Sequence, residues 1–490
     1  MIEWLIIGGY VLSMTVILIL SLGQLHLTWH YRNGKHLLKS TPDLVNYPKV
    51  TIQLPVFNEL YVIERLIDKV TQLDYPKSQL EIQVLDDSTD ETTQLIADKV
   101  KGYQSQGFEI VHIRRPDRSG FKAGALQYGT ERTDSEFLAI FDADFLPEKD
   151  FLKKTVPHFM NSQIGMVQTR WGHLNKDYSV LTRLQAFGLD GHFTVEQSGR
   201  NNAGSFINFN GTAGVWRKQC IEEAGGWSAD TLTEDLDLSY RAQLKGWKFE
   251  YLEDIVSPAE LPVIMPAIKS QQYRWNKGAA ETAKKNVGRI WNAPIGKRQK
   301  THALLHLLNN TGFIFILIAS LLSVPMLLIK DANPEFNLVF HLGSVFIIGF
   351  LAIAYFYWHA TRKIEPNQTF RHWVVRFPMF LTFSMGLAFH NAVAVSEGYL
   401  GIKTPFIRTP KFNISGSNGS WSDNKYIKAN LSFQTLIEGL ISLYFMYGFY
   451  QGLILGDYGL IFFHLMLAVG FGGIFFFSIQ SATHRAPTTS

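Results

Sequence analysis

The chain has 490 residues, a formal net charge of +4 and a mean hydropathy of +0.01. A charge this small for the length gives no argument for nucleic-acid binding, and we expect no nucleic-acid partner. The mean hydropathy is too high for an ordinary soluble enzyme and too low for a protein made only of membrane spans. The single cysteine, Cys220, excludes an intrachain disulfide and a cysteine-based zinc site, which fits a catalytic region in a reducing compartment.

The first predicted element is an uncharged apolar run over residues 4–31, long enough to span about 30 Å of hydrocarbon. No basic region precedes the run, and it is longer than a typical signal-peptide core, so we expect a retained anchor. Glu3 precedes the run and basic residues follow it. This bias predicts a transmembrane anchor at 1–31, an N-terminus outside, and a cytoplasmic domain at 32–300.

Residues 48–300 alternate short apolar runs with helical patterns. KVTIQLPVFNE, LEIQVLDDS, FEIVHIRR and SEFLAIFDADF predict buried strands, and YVIERLIDKVTQL predicts an amphipathic helix between the first two. Strands that alternate with helices predict a parallel sheet with crossovers, which binds ligands at the carboxyl ends of its strands. The candidate site residues at those ends are Asn58, Glu59, Asp86, Asp87, Asp142 and Asp144.

FDADFLP is the central motif, because it places Asp142 and Asp144 together at a strand end. Paired carboxylates suit Mg²⁺ or Mn²⁺, ions that are typically held by carboxylates and substrate phosphates. An isolated Asp-x-Asp can also be an acidic turn cap, and Asp86 and Asp87 could form a second such turn. Two independent turns placed in this way are less plausible than one nucleotide-diphosphate site.

TLTEDLDL holds three acids within four residues: Glu234, Asp235 and Asp237. Thr233 can cap a helix whose first turn favours negative charge, and capping accounts for most of these residues. It accounts less well for three acids, and a carboxylate there could act as a general base. The preceding segment, FNGTAGVWRKQCIEEAGGW, matches no nucleotide-binding glycine fingerprint and predicts a tight turn against a strand.

Residues 301–490 predict an α-helical membrane domain. Its predicted spans lie at about 303–329, 336–358, 433–455 and 459–479. The apolar stretch 377–396 could cross the membrane or lie along its surface. If it crossed, the basic loop 399–430 would lie outside, against the positive-inside bias, so we expect an interfacial or re-entrant helix.

The order of these motifs resembles the family 2 glycosyltransferases, specifically the processive, membrane-embedded branch that includes cellulose synthase. The motifs are DDS at 86–88, DAD at 142–144, TED at 233–235 and QQYRW at 271–275. FNGTAGVWR and TEDLDLSYRAQLKGWK look most like the plant mannan-synthase and glucan-synthase-like proteins and their bacterial relatives. The resemblance implies an α/β GT-A domain, with a Rossmann-like nucleotide-sugar-binding fold, inserted between transmembrane helices.

The resemblance also implies a role for each motif residue. Asp235 is then the catalytic base, while Asp142 and Asp144 hold a divalent cation on the donor diphosphate. The implied nucleotide and donor contacts are Pro55, Asn58, Glu59, Asp86, Asp87, Lys122 and Asp142. The implied residues on the acceptor and diphosphate side are Glu234, Gln271, Arg274 and Trp275. PFIRTPK resembles the family's gating segment Phe-x-Val-Thr-x-Lys through Phe406, Thr409 and Lys411, with Arg408 where valine is usual.

The implied activity is the inverting transfer of a hexose from UDP-glucose or GDP-mannose onto a growing β-linked polysaccharide, coupled to passage through the bilayer. A glycolipid glycosyltransferase with a lipid acceptor is an alternative, because it also carries Gln-x-x-Arg-Trp. A transporter or a nucleotide-sugar-binding regulator would keep the spans but need no base. The absence of obvious eukaryotic targeting favours a bacterial inner membrane over a Golgi membrane. Accessory subunits are not predicted either way.

Overall fold

The computed structural model describes residues 1–34, 46–404, 407–417, 419–422, 424–427 and 431–483. Within these residues, one mixed sheet contains β1 (Val50–Val56), β2 (Leu80–Asp86), β3 (Glu109–Arg114), β4 (Phe137–Ile140), β5 (Ile164–His173), β6 (Gly214–Arg217) and β7 (Lys248–Ala259). The spatial order is β3-β2-β1-β4-β6-β5-β7. The first four strands pair in parallel, as do β5 and β7.

The prediction of a parallel sheet is wrong at β6, which runs antiparallel to both β4 and β5. The segment predicted as a tight turn supplies both the turn and this strand. Gly211 and Ala213 in the turn have φ angles of +80° and +56°. The four residues of β6 are all buried, so the strand shows no alternation of polar and apolar residues that the sequence could reveal.

Helices cover the sheet on both faces. They are α2 (Ile63–Val70), α3 (Thr92–Gln104), α4 (Phe121–Thr130), α5 (Phe151–Thr155), α6 (Val180–Gly191), α7 (Gln197–Asn202), α8 (Lys218–Glu223), α9 (Glu234–Leu244) and α10 (Met265–Asn292). Ile52 and Leu54 of β1 pack in one core with Leu66 of α2. A second core, which contains the fully buried Cys220 of α8, joins Leu138 of β4 to α4 and α9.

Further helices, of which several are long and apolar, flank the domain. They are α1 (Ile2–Asn33) before it and α11 (Lys297–Leu308), α12 (Gly312–Ala332), α13 (Asn337–Leu342), α14 (Ile347–Ile364), α15 (Phe370–Gly386), α16 (Ala388–Leu400), α17 (Phe433–Leu455) and α18 (Ile461–Thr483) after it. In the described part of the chain, four segments are long and apolar enough to cross a membrane: Ile2–Asn33, Lys297–Ala332, Phe340–Ile364 and Ile461–Thr483.

The other two predicted membrane elements differ from these four. The stretch predicted as one helix at 377–396 is a pair, α15 and α16, bent by 49°, and it has the length of a fifth span only when both are taken together. Such a bend is the shape of a broken span or a re-entrant segment. α17 has the predicted bounds of 433–455 and packs along α18. It is not among the four segments that are long and apolar enough to cross a membrane. Both assignments stay predictions.

Glu438 gives α17 a buried charge among apolar residues. Its side chain is fully buried, and its Oε2 accepts a hydrogen bond from Nζ of Lys269 on α10 at 2.6 Å. An ionised group in an apolar helix is costly unless it is paired. The pair therefore ties α17 to α10, the last helix of the domain that contains the sheet.

Candidate active site

A cavity of about 200 Å³ opens at the edge of the sheet where β1, β2, β4, β5 and β7 end. The sequence-predicted residues that line it are Pro55, Glu59, Asp87, Lys122, Asp142, Asp144, Glu234, Asp235, Gln271, Arg274, Trp275, Thr409 and Lys411. Asn58 and Asp86 lie beside the cavity but do not line it, and Phe406 lies outside the described residues. Residues far apart in the chain thus meet at one site.

Asp86 is the last residue of β2 and Asp87 follows it, and their side chains point in different directions. Asp86 is buried, where its Oδ1 accepts a hydrogen bond from Ser88 N at 2.8 Å and its Oδ2 lies 2.9 Å from His112 Nε2. Asp87 lines the cavity, and its Oδ1 accepts from Arg115 Nε at 3.0 Å. Asp86 therefore fixes the loop, and Asp87 is the acid of this pair that faces the cavity.

Asn58 links the loops that follow β1 and β2. Its φ of +55° is unusual for a residue other than glycine, although asparagine tolerates it better than most. Its backbone N–H donates to Ser88 Oγ at 2.8 Å, and its Oδ1 accepts from Thr89 N at 2.9 Å. The direct donor contacts expected of Asn58 and Asp86 stay predictions, since neither residue lines the cavity.

Each carboxylate of the Asp-x-Asp motif faces a lysine. Lys122 Nζ donates to Asp142 Oδ1 at 2.5 Å and to the carbonyl of Gly211 at 2.9 Å. Lys411 Nζ donates to Asp144 Oδ2 at 2.7 Å. Among the described residues, the buried Oδ1 of Asp144 has no hydrogen-bond partner. An unpartnered carboxylate oxygen beside a second carboxylate fits a hard divalent cation such as Mg²⁺ or Mn²⁺.

Asp235 lies in the first turn of α9 at the cavity wall. Burial of the carboxyl raises the pKa of Asp235 to about 7, and the negative charge of Glu234 is the second largest cause of this rise. Its Oδ1 accepts a hydrogen bond from Leu236 N at 2.8 Å, which holds the side chain in place. A pKa near neutral is suited to a general base, because the ionised form is then available at neutral pH. Gly211 leaves room for this carboxylate: a Cβ there would lie 3.1 Å from Asp235 Oδ2.

α10 brings the Gln-x-x-Arg-Trp motif to the same cavity. Gln271, Arg274 and Trp275 are spaced at i, i+3 and i+4, so they share one face of the helix. Gly278 permits a close approach to α9, because a Cβ there would lie 2.8 Å from the backbone nitrogen of Thr233. Arg274 and Trp275 therefore line the same cavity as Asp235.

The segment that resembles a gating loop lies against the site. Arg274 Nη2 donates to Thr409 Oγ1 at 2.7 Å, and Arg408 Nη1 lies 2.8 Å from Glu59 Oε2. Burial raises the pKa of Glu59 to about 7, and the positive charge of Arg408 opposes that rise. The arginine at the position where valine is usual therefore forms an ion pair across the cavity.

The cavity also contains residues that the sequence did not single out: Arg118, Trp171, His173, Asn210 and Glu260. Trp171 and His173 end β5, and Glu260 follows β7, so they obey the rule that identified the acids after β1, β2 and β4. These residues were not predicted from the sequence, because β5 and β7 were not predicted as strands. The backbone of Phe412 donates to Glu260 Oε1 at 2.7 Å, which fixes the end of the loop segment.

Comparison with known proteins agrees with this geometry. Residues 48–278 match the family model described as glycosyltransferase like family 2. Glucomannan 4-beta-mannosyltransferase 2 of Arabidopsis thaliana is 46% identical over 250 residues, which are 50% of this chain and 47% of the plant protein. The chain thus spans about half the length of that curated relative.

Among solved structures, the mannosyltransferase PcManGT from Pyrobaculum calidifontis, in complex with GDP-Man and Mn²⁺, has a similar fold. The TM-score is 0.54 at 18% identity, and the match covers 74% of this chain and 100% of the other. The predicted Rossmann-like GT-A fold with apolar helices at both ends is confirmed, with a mixed sheet in place of a parallel one.

Proposed function

We propose that this chain is an inverting hexosyltransferase that extends a β-linked polysaccharide, because residues 48–278 match the glycosyltransferase family 2 model, as the motif order predicted. The observation that carries the proposal is the convergence of four separate motifs on one cavity. Asp87, Asp142, Asp235 and Arg274 line it together although they span almost 190 residues of sequence. A transporter or a regulator would not need a base at that place.

Mannose is the hexose that we propose, and GDP-mannose its donor. The relative with 46% identity is named a mannosyltransferase of glucomannan, and the solved structure with the similar fold is a mannosyltransferase bound to GDP-Man. UDP-glucose is the second donor to test, because the sequence alone allows both.

The carboxylates of Asp142 and Asp144 would hold Mg²⁺ or Mn²⁺. Such an ion, when bound, would neutralise charge on the leaving diphosphate. Lys122 and Arg274 add positive charge on two sides of the same cavity, and arginine can offer paired hydrogen bonds to phosphate oxygens. The protein's own cations therefore favour departure of the nucleoside diphosphate.

Asp235 would remove the proton from the acceptor hydroxyl. The oxygen then attacks C1 of the α-linked sugar, the bond from C1 to the diphosphate oxygen breaks, and the product is a β-glycoside. The proton resides on Asp235 and the negative charge leaves with the diphosphate. Trp275 offers an aromatic face for the acceptor sugar, and the ring of Trp171 lies 6.4 Å away between centroids.

The glycan would pass from this site into the membrane. α10 carries the acceptor-side residues and packs directly against α16 and α18, so the cavity adjoins the membrane helices. With the N-terminus outside and the domain in the cytoplasm, as the charge bias predicts, the donor would be taken from the cytoplasm. The loop segment that contains Thr409 and Lys411 would cover the donor.

The test uses membrane vesicles that contain the full chain, Mg²⁺ or Mn²⁺, and radiolabelled GDP-mannose or UDP-glucose. We expect label from GDP-mannose in an ethanol-precipitable fraction that a β-mannanase releases. Asp134→Asn, a change at an exposed acid of the same domain, is the control for expression and should leave incorporation unchanged.

Two outcomes would contradict the proposal. Label that partitions into organic solvent would identify a glycolipid transferase, and the passage of a polymer through the membrane would be refuted. Asp235→Asn that retains donor turnover at the wild-type rate would refute the assignment of the base.

A further inference from the structure

Three histidines meet outside the active-site cavity, where α1 passes α11. They are His26 and His30 on α1 and His302 on α11. One ring nitrogen from each lies within 4.8 Å of the others. The mechanism uses none of the three.

The helix positions explain why the cluster forms. His26 and His30 are four residues apart, so they share one face of α1. The spacing of two histidines at i and i+4 is one that places both imidazoles on a single metal ion in helical sites. His302 is buried on the facing helix and supplies the third nitrogen.

The ring nitrogens are poorly satisfied by the protein alone. His26 Nδ1 lies 3.0 Å from His302 Nε2, and at least one of the two must be unprotonated for this contact to be favourable. The Nε2 atom of His30 is buried, and no described residue forms a hydrogen bond with it. A metal ion bound among the three imidazoles would account for this unpartnered nitrogen of His30.

The spacing is close to that of a tetrahedral metal site. Zinc–nitrogen bonds of about 2.0–2.1 Å place two tetrahedral ligands roughly 3.3 Å apart. The contact of 3.0 Å between His26 and His302 approaches this value, and the ring nitrogens of all three histidines lie within 4.8 Å of one another. Imidazole ligands suit Zn²⁺, Co²⁺ or Ni²⁺ better than Mg²⁺.

We propose that His26, His30 and His302 form a site for a borderline transition-metal ion, with Zn²⁺ as the physiological choice, that joins the anchor helix to α11. Three protein ligands leave a fourth position for water or an anion. Arg298 lines a cavity beside His26 and His302, and its charge favours an anion there. Since α11 follows α10, the ion would connect the anchor to the helix of the Gln-x-x-Arg-Trp motif.

The experiment uses the full chain, purified in detergent with excess Mg²⁺ so that the carboxylate site does not take the added ion. Co²⁺ is titrated, and its visible absorption reports a tetrahedral site with nitrogen ligands. Bound zinc is counted by mass spectrometry after dialysis. We expect about one ion per chain and an affinity at least about tenfold weaker in His30→Gln and in His302→Gln. The control is His372→Gln, at an exposed histidine of α15, which should bind as the wild type does.

Absence of a tetrahedral Co²⁺ spectrum in the wild-type chain would overturn the proposal without recourse to any variant. Equal affinity in wild type, His30→Gln and His302→Gln would overturn it as well. Thermal unfolding adds a second readout: at one Zn²⁺ concentration, the unfolding temperature of the wild type and of His372→Gln should rise by more than that of the two cluster variants.

Discussion

Asp235 is predicted to control the pH dependence of the reaction. Its pKa is raised from 3.8 to about 7, so this carboxyl is mostly protonated at pH 6 and mostly ionised at pH 8. With one such group, the rate should rise about tenfold between pH 6 and pH 8, because the ionised fraction rises from about a tenth to nine tenths. The assay is the initial rate of the proposed mannose incorporation at saturating Mg²⁺ across this pH range.

Two substitutions test the cause of the shift. Asp235→Asn should lower the rate at pH 8 by about 10²- to 10⁴-fold, the usual contribution of a general base, and by less at pH 6, where the wild-type carboxyl is mostly protonated. Glu234→Gln removes the negative charge that is the second cause of the raised pKa, so the pH profile should move to lower pH. The shift of the profile is the readout, whatever the effect of this change on the maximal rate.

Thermal stability shows whether a lower rate in Asp235→Asn comes from loss of the carboxylate or from misfolding of the variant. Because the pKa of Asp235 is raised in the folded state, the unfolded chain ionises first, and this carboxyl's contribution to stability is lost as pH rises from 3.8 to about 7. Asp235→Asn should therefore unfold at pH 8 at a temperature no lower than the wild type. Two results for the reaction rate would refute the reasoning. One is a wild-type rate that does not change between pH 6 and pH 8, and the other is a shift of the pH–rate profile to higher pH in Glu234→Gln.

Three further outcomes follow from the geometry. Chelation of divalent ions should abolish incorporation, and added Mg²⁺ or Mn²⁺ should restore it. Added ions should not restore incorporation by the Asp144→Asn variant. An unchanged wild-type rate in the presence of chelator would contradict the cation site. Gly211→Ala should lower the rate, because the added Cβ would crowd Asp235 Oδ2. Gly107 is the control: it has the same φ of +80°, but no atom lies close to where its Cβ would be. Gly107→Ala should therefore only destabilise the fold, by about 1–2 kcal/mol. Lys269→Met should lower the unfolding free energy by about 3–5 kcal/mol, because it leaves the partner carboxylate on α17 buried and unpaired, and equal stability in detergent would show that the pair is not needed.

The sequence predicted the part of the fold that has a regular pattern. β1, β2, β3 and β4 are apolar runs that end in polar residues, and their parallel pairing follows from the helices between them. β6 is too short to show a period, and it lies in the middle of the sheet only because β4 and β5 are available on both sides. Long-range pairing of this kind leaves no local signal.

The motifs predicted which residues line the cavity better than they predicted the direction in which each side chain points. Spacing placed Asp142 and Asp144 at a strand end, and both line the cavity. The sequence could not show that Asp86 turns inward to Ser88 and His112 while its neighbour faces the cavity, since the two acids are adjacent at the end of the same strand. That division depends on the backbone conformation of the loop.

Cys220 has a practical consequence. Its side chain is fully buried, and burial raises the pKa of its thiol, so a maleimide added to the folded protein has no cysteine to modify. The wild-type chain is therefore already a silent background for single-cysteine labelling. Gln106→Cys in the domain and Tyr458→Cys between α17 and α18 would place one exposed thiol each on the sides predicted to face the cytoplasm and the exterior. An impermeant maleimide added to intact cells should then label Tyr458→Cys alone, and Gln106→Cys only after the membrane is opened.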